Sequence, residues 1–198
     1  SEGGLLYGSI VSDETWIGGD PKNRHKNERR ADGRHRHALN KTPVISLICR
    51  ETGEVRSKVV ANVTGDSIYS AIKPNVSMRY SHLQTDEARG YSSVSWLFGQ
   101  HTQVNHLRGE YVAANGASTN PAEGYFAQLK RSLDGTHHHV SREHLERYVT
   151  EFDFRYTTRK LSDPERMRLL VGQVAKRLTY KMTTTPAPAG PGPQTLPW

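Results

Sequence analysis

The apolar residues of this chain change period part-way along it, and that change limits the folds it can take. Up to about residue 107 they come in short runs: residues 5–17 ending at Gly18-Gly19, then 43–50, then Val55 to Val63. Such runs bounded by Gly and polar clusters read as strands, and Glu51-Thr52-Gly53 between the second and third reads as a hairpin turn. A short helix near Asp66 to Ala71, a strand over Tyr80 to Thr85, a helical stretch over Tyr91 to Phe98 and a short strand over Val104 to Leu107 follow. From Asn120 onward the spacing is helical. Ala122, Tyr125, Phe126, Leu129 and Leu133 share one face and stop at Gly135, and Leu145, Tyr148, Val149, Phe152 and Tyr156 make a second stripe. A third uses Met167, Leu170, Val171, Val174 and Leu178, opened by Ser162, Pro164 and Glu165 in capping-box spacing.

Three antiparallel strands followed by alternating elements imply an α/β layer with a mixed central sheet flanked by helices. The RNase H-like, or retroviral-integrase-like, fold matches that order. Residues 1–160 read as one domain, 161–182 as a C-terminal helix, and 183–198 as a Pro-rich tail, disordered or a docking arm, that cannot build a core. With 198 residues, 34% of them hydrophobic, the chain can bury a core without staples. No apolar run approaches the ~20 residues needed to cross a bilayer, which excludes a membrane-spanning protein. Cys49 is the only cysteine, so a disulfide framework and a thiolate zinc cluster are excluded as well. Its neighbours Val44, Ile45, Leu47 and Ile48 make it a buried strand thiol, at home in a reducing compartment.

Charge points to a polyanionic partner. Of the formal net +7, residues 20–41 carry +5, from eight basic residues (Lys22, Arg24, Lys26, Arg29, Arg30, Arg34, Arg36, Lys41) against three acidic ones. Double-stranded DNA is a better match than an anionic membrane surface, with the loop ordering on binding. The competing reading is a solvated loop.

Against that basic background, acidic residues inside strands stand out. Asp13 lies among Ile10, Val11, Trp16 and Ile17, and Asp86 sits where another strand ends. A carboxylate buried bare is costly, so each needs a partner or a cation. Carboxylates at adjacent strand ends can converge on hard divalent cations. Strand alternation sends Glu14 to the face opposite Asp13, which gives it a supporting or structural part; Glu87 lies beyond the strand and could approach the site. Asn120-Pro121-Ala122-Glu123 serves equally well as a helix N-cap, with Asn120 the cap and Glu123 its capping-box partner, and as a pair of ligands one turn apart. Lys130 lies two turns beyond Glu123 with Arg131 beside it, placed to meet a phosphate backbone. His137, His138 and His139 lack a cysteine partner for zinc, and His138 fits better as a phosphate contact.

Taken in order, these pieces resemble the DDE-type catalytic domain of ISXO2-like insertion-sequence transposases, the IS1595 group. The resemblance rests on Asp13-Glu14-Thr15-Trp16-Ile17-Gly18-Gly19, on Thr85-Asp86 with Tyr91, and on the run from Asn120-Pro121-Ala122-Glu123 to Lys130-Arg131. Gly135, His138-His139-Val140-Ser141, His144-Leu145, Tyr148, Glu151-Phe152, Phe154-Arg155-Tyr156 and Arg159 complete it, over about residues 5–160. It implies a transposase that cleaves DNA strands and joins the freed 3′ hydroxyls to target DNA using Mg²⁺ or Mn²⁺ in a two-metal site. It also implies a homodimer or higher assembly on DNA, in the cytoplasm and on the bacterial nucleoid when bound. Asp13 and Asp86 would be the first two catalytic acids and metal ligands. The third belongs to the Asn120–Glu123 motif, with 33 or 36 residues between it and Asp86; a carboxylate is the stronger ligand, so Glu123 is preferred. The family's usual N-terminal DNA-binding region does not precede the domain here, which leaves an excised domain, a shortened copy or a domesticated relative. An RNase H-like nuclease without strand transfer and a non-catalytic DNA-binding protein are the alternatives.

Overall fold

A computed structural model describes residues 4–18, 41–86, 89–104, 118–137 and 140–174. Residues 2–160 form one compact unit and the segment from Leu161 onward belongs to another. The basic loop, apart from Lys41, and the Pro-rich tail lie outside the described residues, as do Glu87 and His138.

The first unit is built on a five-stranded sheet: β1 (Leu6–Ile17), β2 (Thr42–Cys49), β3 (Val55–Val59), β4 (Val76–Thr85) and β5 (Gln100–Gln103). Their order is β3-β2-β1-β4-β5. β2 runs antiparallel to both its neighbours, while β1, β4 and β5 are parallel. This mixed sheet with helices on both faces is the RNase H-like arrangement expected from the sequence. All eight residues of β2 are buried, in keeping with its β-branched run beside the central strand. Gly53 closes the β2–β3 hairpin at φ +73°, a backbone setting that favours glycine.

Each face of the sheet has its own core. Ile10, Ile45, Leu47 and Leu83 pack with Ile68, Ala71 and Ile72 of α1 (Gly65–Ile72) and with Tyr91, Val94 and Phe98. Val11, Val44, Ile48 and Val55 pack with α2 (Asn120–Ser132) and α3 (Arg142–Thr157) through Ala122, Tyr125, Phe126, Leu129, Leu145 and Val149. Full burial of one such large apolar side chain is worth roughly 1.5–3 kcal/mol. Leu129→Ala, in the centre of the second core, would cost about 2–5 kcal/mol.

α3 also finishes the sheet. β3 is an edge strand, and its outward N–H groups are taken in turn by side chains of the helix: Val55 N–H by Thr157 Oγ1 at 3.0 Å, Ser57 N–H by Asp153 Oδ2 at 2.6 Å, and Val59 N–H by Glu146 Oε2 at 2.8 Å. A covered edge cannot recruit another strand. In the second unit, α4 (Asp163–Val174) begins with the expected capping box, Ser162 N–H and Oγ–H both donating to Glu165 Oε2.

Several boundaries differ from the sequence reading. β4 starts at Val76, well before Tyr80, and β3 stops at Val59. The final strand is Gln100–Gln103 and not Val104–Leu107, because a polar edge strand carries no apolar pattern and Val104 only marks its buried end. Tyr91 to Phe98 forms two 3₁₀ turns, Arg89–Ser93 and Ser95–Leu97. The cap of α2 is Thr119, which places Asn120 inside the helix and removes it from the capping role.

Candidate metal centre

The site begins with a difference in strand length. β1 pairs with β2 as far as Ile17, but its pairing with β4 ends at Val11↔Gln84. Asp13 and Asp86 each lie two residues beyond that last pair, so they stand at the same level, Asp13 within β1 where β4 no longer flanks it and Asp86 just past the end of β4. Both are half-buried. Asp13, Glu14 and Asp86 each offer a carboxylate oxygen, and these oxygens lie within 4.8 Å of one another.

Glu14 is the residue that strand alternation misplaces. Alternation does send its Cβ to the face opposite Asp13, where Tyr91 Oη–H donates to Glu14 Oε2 at 3.3 Å and receives Ser12 Oγ–H at 3.0 Å. Past the end of β4, however, no ladder divides the two faces, and the longer glutamate side chain reaches the aspartates. Its backbone N–H donates to Asp13 Oδ1 at 2.8 Å. A glutamate directly after an aspartate inside an apolar strand was the available signal.

The electrostatics follow from that crowding. Burial, reinforced by Asp86 and then by Asp13, pushes the Glu14 carboxyl up to about 7, against the smaller opposing effect of the Tyr91 hydrogen bond. Tyr91 is itself held well above the usual phenol range, by burial first and by the Glu14 charge second. Three carboxyls this close form a donor set suited to a hard divalent cation, which would offset the repulsion that raises Glu14. By donor type and spacing, the residues present fit Mg²⁺ or Mn²⁺.

Asn120 and Glu123 are both exposed on the first turn of α2, and Glu123 is not part of the close group of three carboxylates. The start of α2 is nevertheless tied to the strand that leads into Asp86. Gln84 Oε1 accepts from Ser118 N–H at 3.2 Å, and Ser118 Oγ accepts from Asn120 N–H at 3.2 Å. Lys130 and Arg131 are exposed in the last turn of the same helix. His137 packs its ring against Tyr148, with centroids 4.5 Å apart. The remaining basic candidates, Lys22, Arg24, Lys26, Arg29, Arg30, Arg34, Arg36 and His138, lie outside the described residues.

An RNase H-like sheet with a carboxylate cluster at the end of β4 and on the part of β1 beside it defines a metal-dependent nuclease or transferase. The family model described as the ISXO2-like transposase domain matches residues 5–157, so the chain belongs to that family and carries a DDE-type transposase catalytic domain. No curated protein sequence matches it. Among solved structures it is similar to the catalytic core domain of BIV integrase, with a TM-score of 0.49 and 14% identity over 74% of this chain and 81% of that one. It is also similar to the HTLV-2 integrase catalytic core domain in complex with magnesium, dimeric form (TM-score 0.45, 12% identity, 76% and 85% covered). A third is a chain of the simian T-cell lymphotropic virus intasome in complex with the PP2A regulatory subunit B56 gamma (TM-score 0.45, 13% identity), of which the match covers 50% and of this chain 78%. No helix among the described residues is long and apolar enough to cross a membrane.

Proposed function

We propose that this domain cleaves DNA strands at element ends and joins the resulting 3′ hydroxyls to target DNA. The observation that carries the reading is the meeting of Asp13, Glu14 and Asp86 within 4.8 Å where β4 ends beside β1. Asp13 and Asp86 are the principal metal ligands, and Glu14 supplies a further oxygen steadied by Tyr91. The start of α2 completes the site when DNA is bound, with Glu123 preferred over Asn120 because a carboxylate is the stronger ligand. A pair of Mg²⁺ or Mn²⁺ ions held there supplies Lewis-acid stabilisation of the attacking and leaving oxygens of phosphoryl transfer.

The chain's own residues do the rest. Water is the nucleophile in cleavage and the DNA 3′ hydroxyl in joining. Lys130 and Arg131, exposed along the helix from Glu123, meet the phosphate backbone near the reacting strand. The basic segment 20–41, with Lys22, Arg24, Lys26, Arg29, Arg30, Arg34 and Arg36, holds flanking or target duplex, and His138 contacts phosphate. Pairing two DNA ends calls for a homodimer or larger assembly, acting on nucleoid DNA in the cytoplasm.

The test is incubation of the full chain with supercoiled plasmid and Mn²⁺ or Mg²⁺, followed by separate scoring of nicks and of joined products. Metal-dependent nicking with joining is the expected result. Nicking without joining would reassign the domain as a nuclease, and DNA binding with no metal-dependent product would leave it a non-catalytic binding protein.

A further inference from the structure

The proposed site draws on two separate parts of the molecule, the sheet where β4 ends beside β1 and the start of α2. Something must hold them in register, and one buried side chain spans the gap. Gln84 is only 2% exposed, on β4 two residues before Asp86. Its Oε1 accepts two hydrogen bonds at 3.2 Å, one from the backbone N–H of Ser118 and one from Arg50 Nη1. Ser118 is buried too, and its hydroxyl accepts the N–H of Asn120 at 3.2 Å. A continuous path therefore runs from the Asp86 strand through Gln84 and Ser118 to the first residue of α2.

We infer that Gln84 is a positioning residue, setting the start of α2, and with it Asn120 and Glu123, against Asp13 and Asp86. The inference rests on the reading that α2 completes the metal site. Three features argue for it. A buried amide carbonyl must be satisfied, and here the donor is a backbone N–H of the irregular segment just before α2. The Arg50 guanidinium approaches the same oxygen from the end of β2, so three segments of the chain meet on one atom. A misplacement of about 1 Å in such a constellation can cost on the order of 10²-fold in rate.

Gln84→Met keeps the length of the side chain and removes the acceptor, while Gln84→Glu retains it. In Mn²⁺-dependent plasmid nicking by the full chain, Gln84→Met is expected to raise the Mn²⁺ concentration for half-maximal activity by about tenfold and to lower the saturated rate about 10²-fold. Metal-free DNA binding should stay within about twofold, and Gln84→Glu should stay within about threefold of wild type, because it keeps the Ser118 bond. A purely structural glutamine would lower the melting temperature and leave the metal requirement of the folded fraction unchanged. That outcome, or equal impairment in both variants, overturns the inference. Hydrogen exchange on the wild type tests it without any substitution: a protected Ser118 amide is expected, and exchange at an open-loop rate overturns it. Asp86→Asn in the same nicking assay separates the two levels. If it is inactive while Gln84→Met behaves as wild type, only the positioning role falls; if it is fully active, the functional reading falls first.

Discussion

Two groups of half-buried or buried carboxyls lie on this domain, and they are built on opposite principles. Asp153, on α3, is buried at 8% exposure, yet donors surround it: Ser57 N–H at 2.6 Å, Ser57 Oγ–H at 2.8 Å, and the Tyr125 hydroxyl. Burial raises its carboxyl to about 6, and those donors pull the other way. Glu14 is also raised by burial, but its neighbours Asp86 and Asp13 push in the same direction. One acid is neutralised by hydrogen bonds and fastens α3 and α2 to β3. The other group keeps like charges together, which is unfavourable until a cation arrives. The first arrangement is structural and the second is what a metal-dependent enzyme requires, and neither is distinguished by burial alone.

The comparison breaks most visibly through activity. Asp13→Asn or Asp86→Asn should lower metal-dependent nicking by about 10³-fold or more, while the metal-free protein melts at the same temperature or a few degrees higher, because a repulsion is removed. Nicking assays paired with thermal melts check both halves. An equal fall in melting temperature would make these aspartates structural, like Asp153.

Asp153→Ala should do the reverse. It leaves the Ser57 and Tyr125 donors unmatched in the interior, and we expect a loss of about 3 kcal/mol in denaturant unfolding with little change in Mn²⁺ affinity of the folded protein. A change in metal affinity as large as that of Asp86→Asn would erase the distinction between the two groups.

Stability against pH sharpens it further. The folded Asp153 carboxyl lies near 6 against an ordinary value of 3.8, so between those values the native state holds more protons than the unfolded chain. Its contribution therefore declines as pH rises from about 4 to about 6, by an amount on the order of 2–3 kcal/mol. Asp153→Asn has no such titration. The stability gap between wild type and Asp153→Asn should accordingly narrow from pH 4 to pH 7 in urea titrations, and a widening gap would contradict the assigned direction.

The smallest effect is expected at Glu14. Glu14→Gln relieves the crowding, and after allowance for solvent screening it should stabilise the metal-free domain by about 1 kcal/mol or less while weakening Mn²⁺ binding about tenfold. Calorimetry with Mn²⁺ alone measures the second quantity; unchanged affinity would remove Glu14 from the ligand set.

The sequence disclosed these two groups unequally. Asp13 and Asp86 were legible because a charge inside an apolar strand, or at the end of one, is conspicuous, and because the surrounding motifs resemble a known family. Glu14 was not, since the period-two rule assumes a ladder on both sides, and only the sheet topology shows that β4 ends before β1. Asp153 was hidden among Glu143, Glu146 and Glu151 in a helix that reads as a mixed surface. Its place between Val149, Phe152 and Tyr156 was the available sign that it lies on the buried stripe. The three antiparallel strands that open the domain followed well from the runs and the hairpin. β5 did not, because Gln100 to Gln103 is a polar edge whose strand character comes from pairing with β4.

The central claim is that the carboxylates gathered where β4 ends beside β1 form the metal site, and anomalous scattering from crystals of the DNA-bound protein grown with Mn²⁺ tests it most directly. The account predicts manganese peaks within about 2.0–2.3 Å of carboxylate oxygens of Asp13 and Asp86, with Glu14 or Glu123 completing the shell. Manganese bound at other acidic side chains, with none between Asp13 and Asp86 while DNA is present, would contradict it.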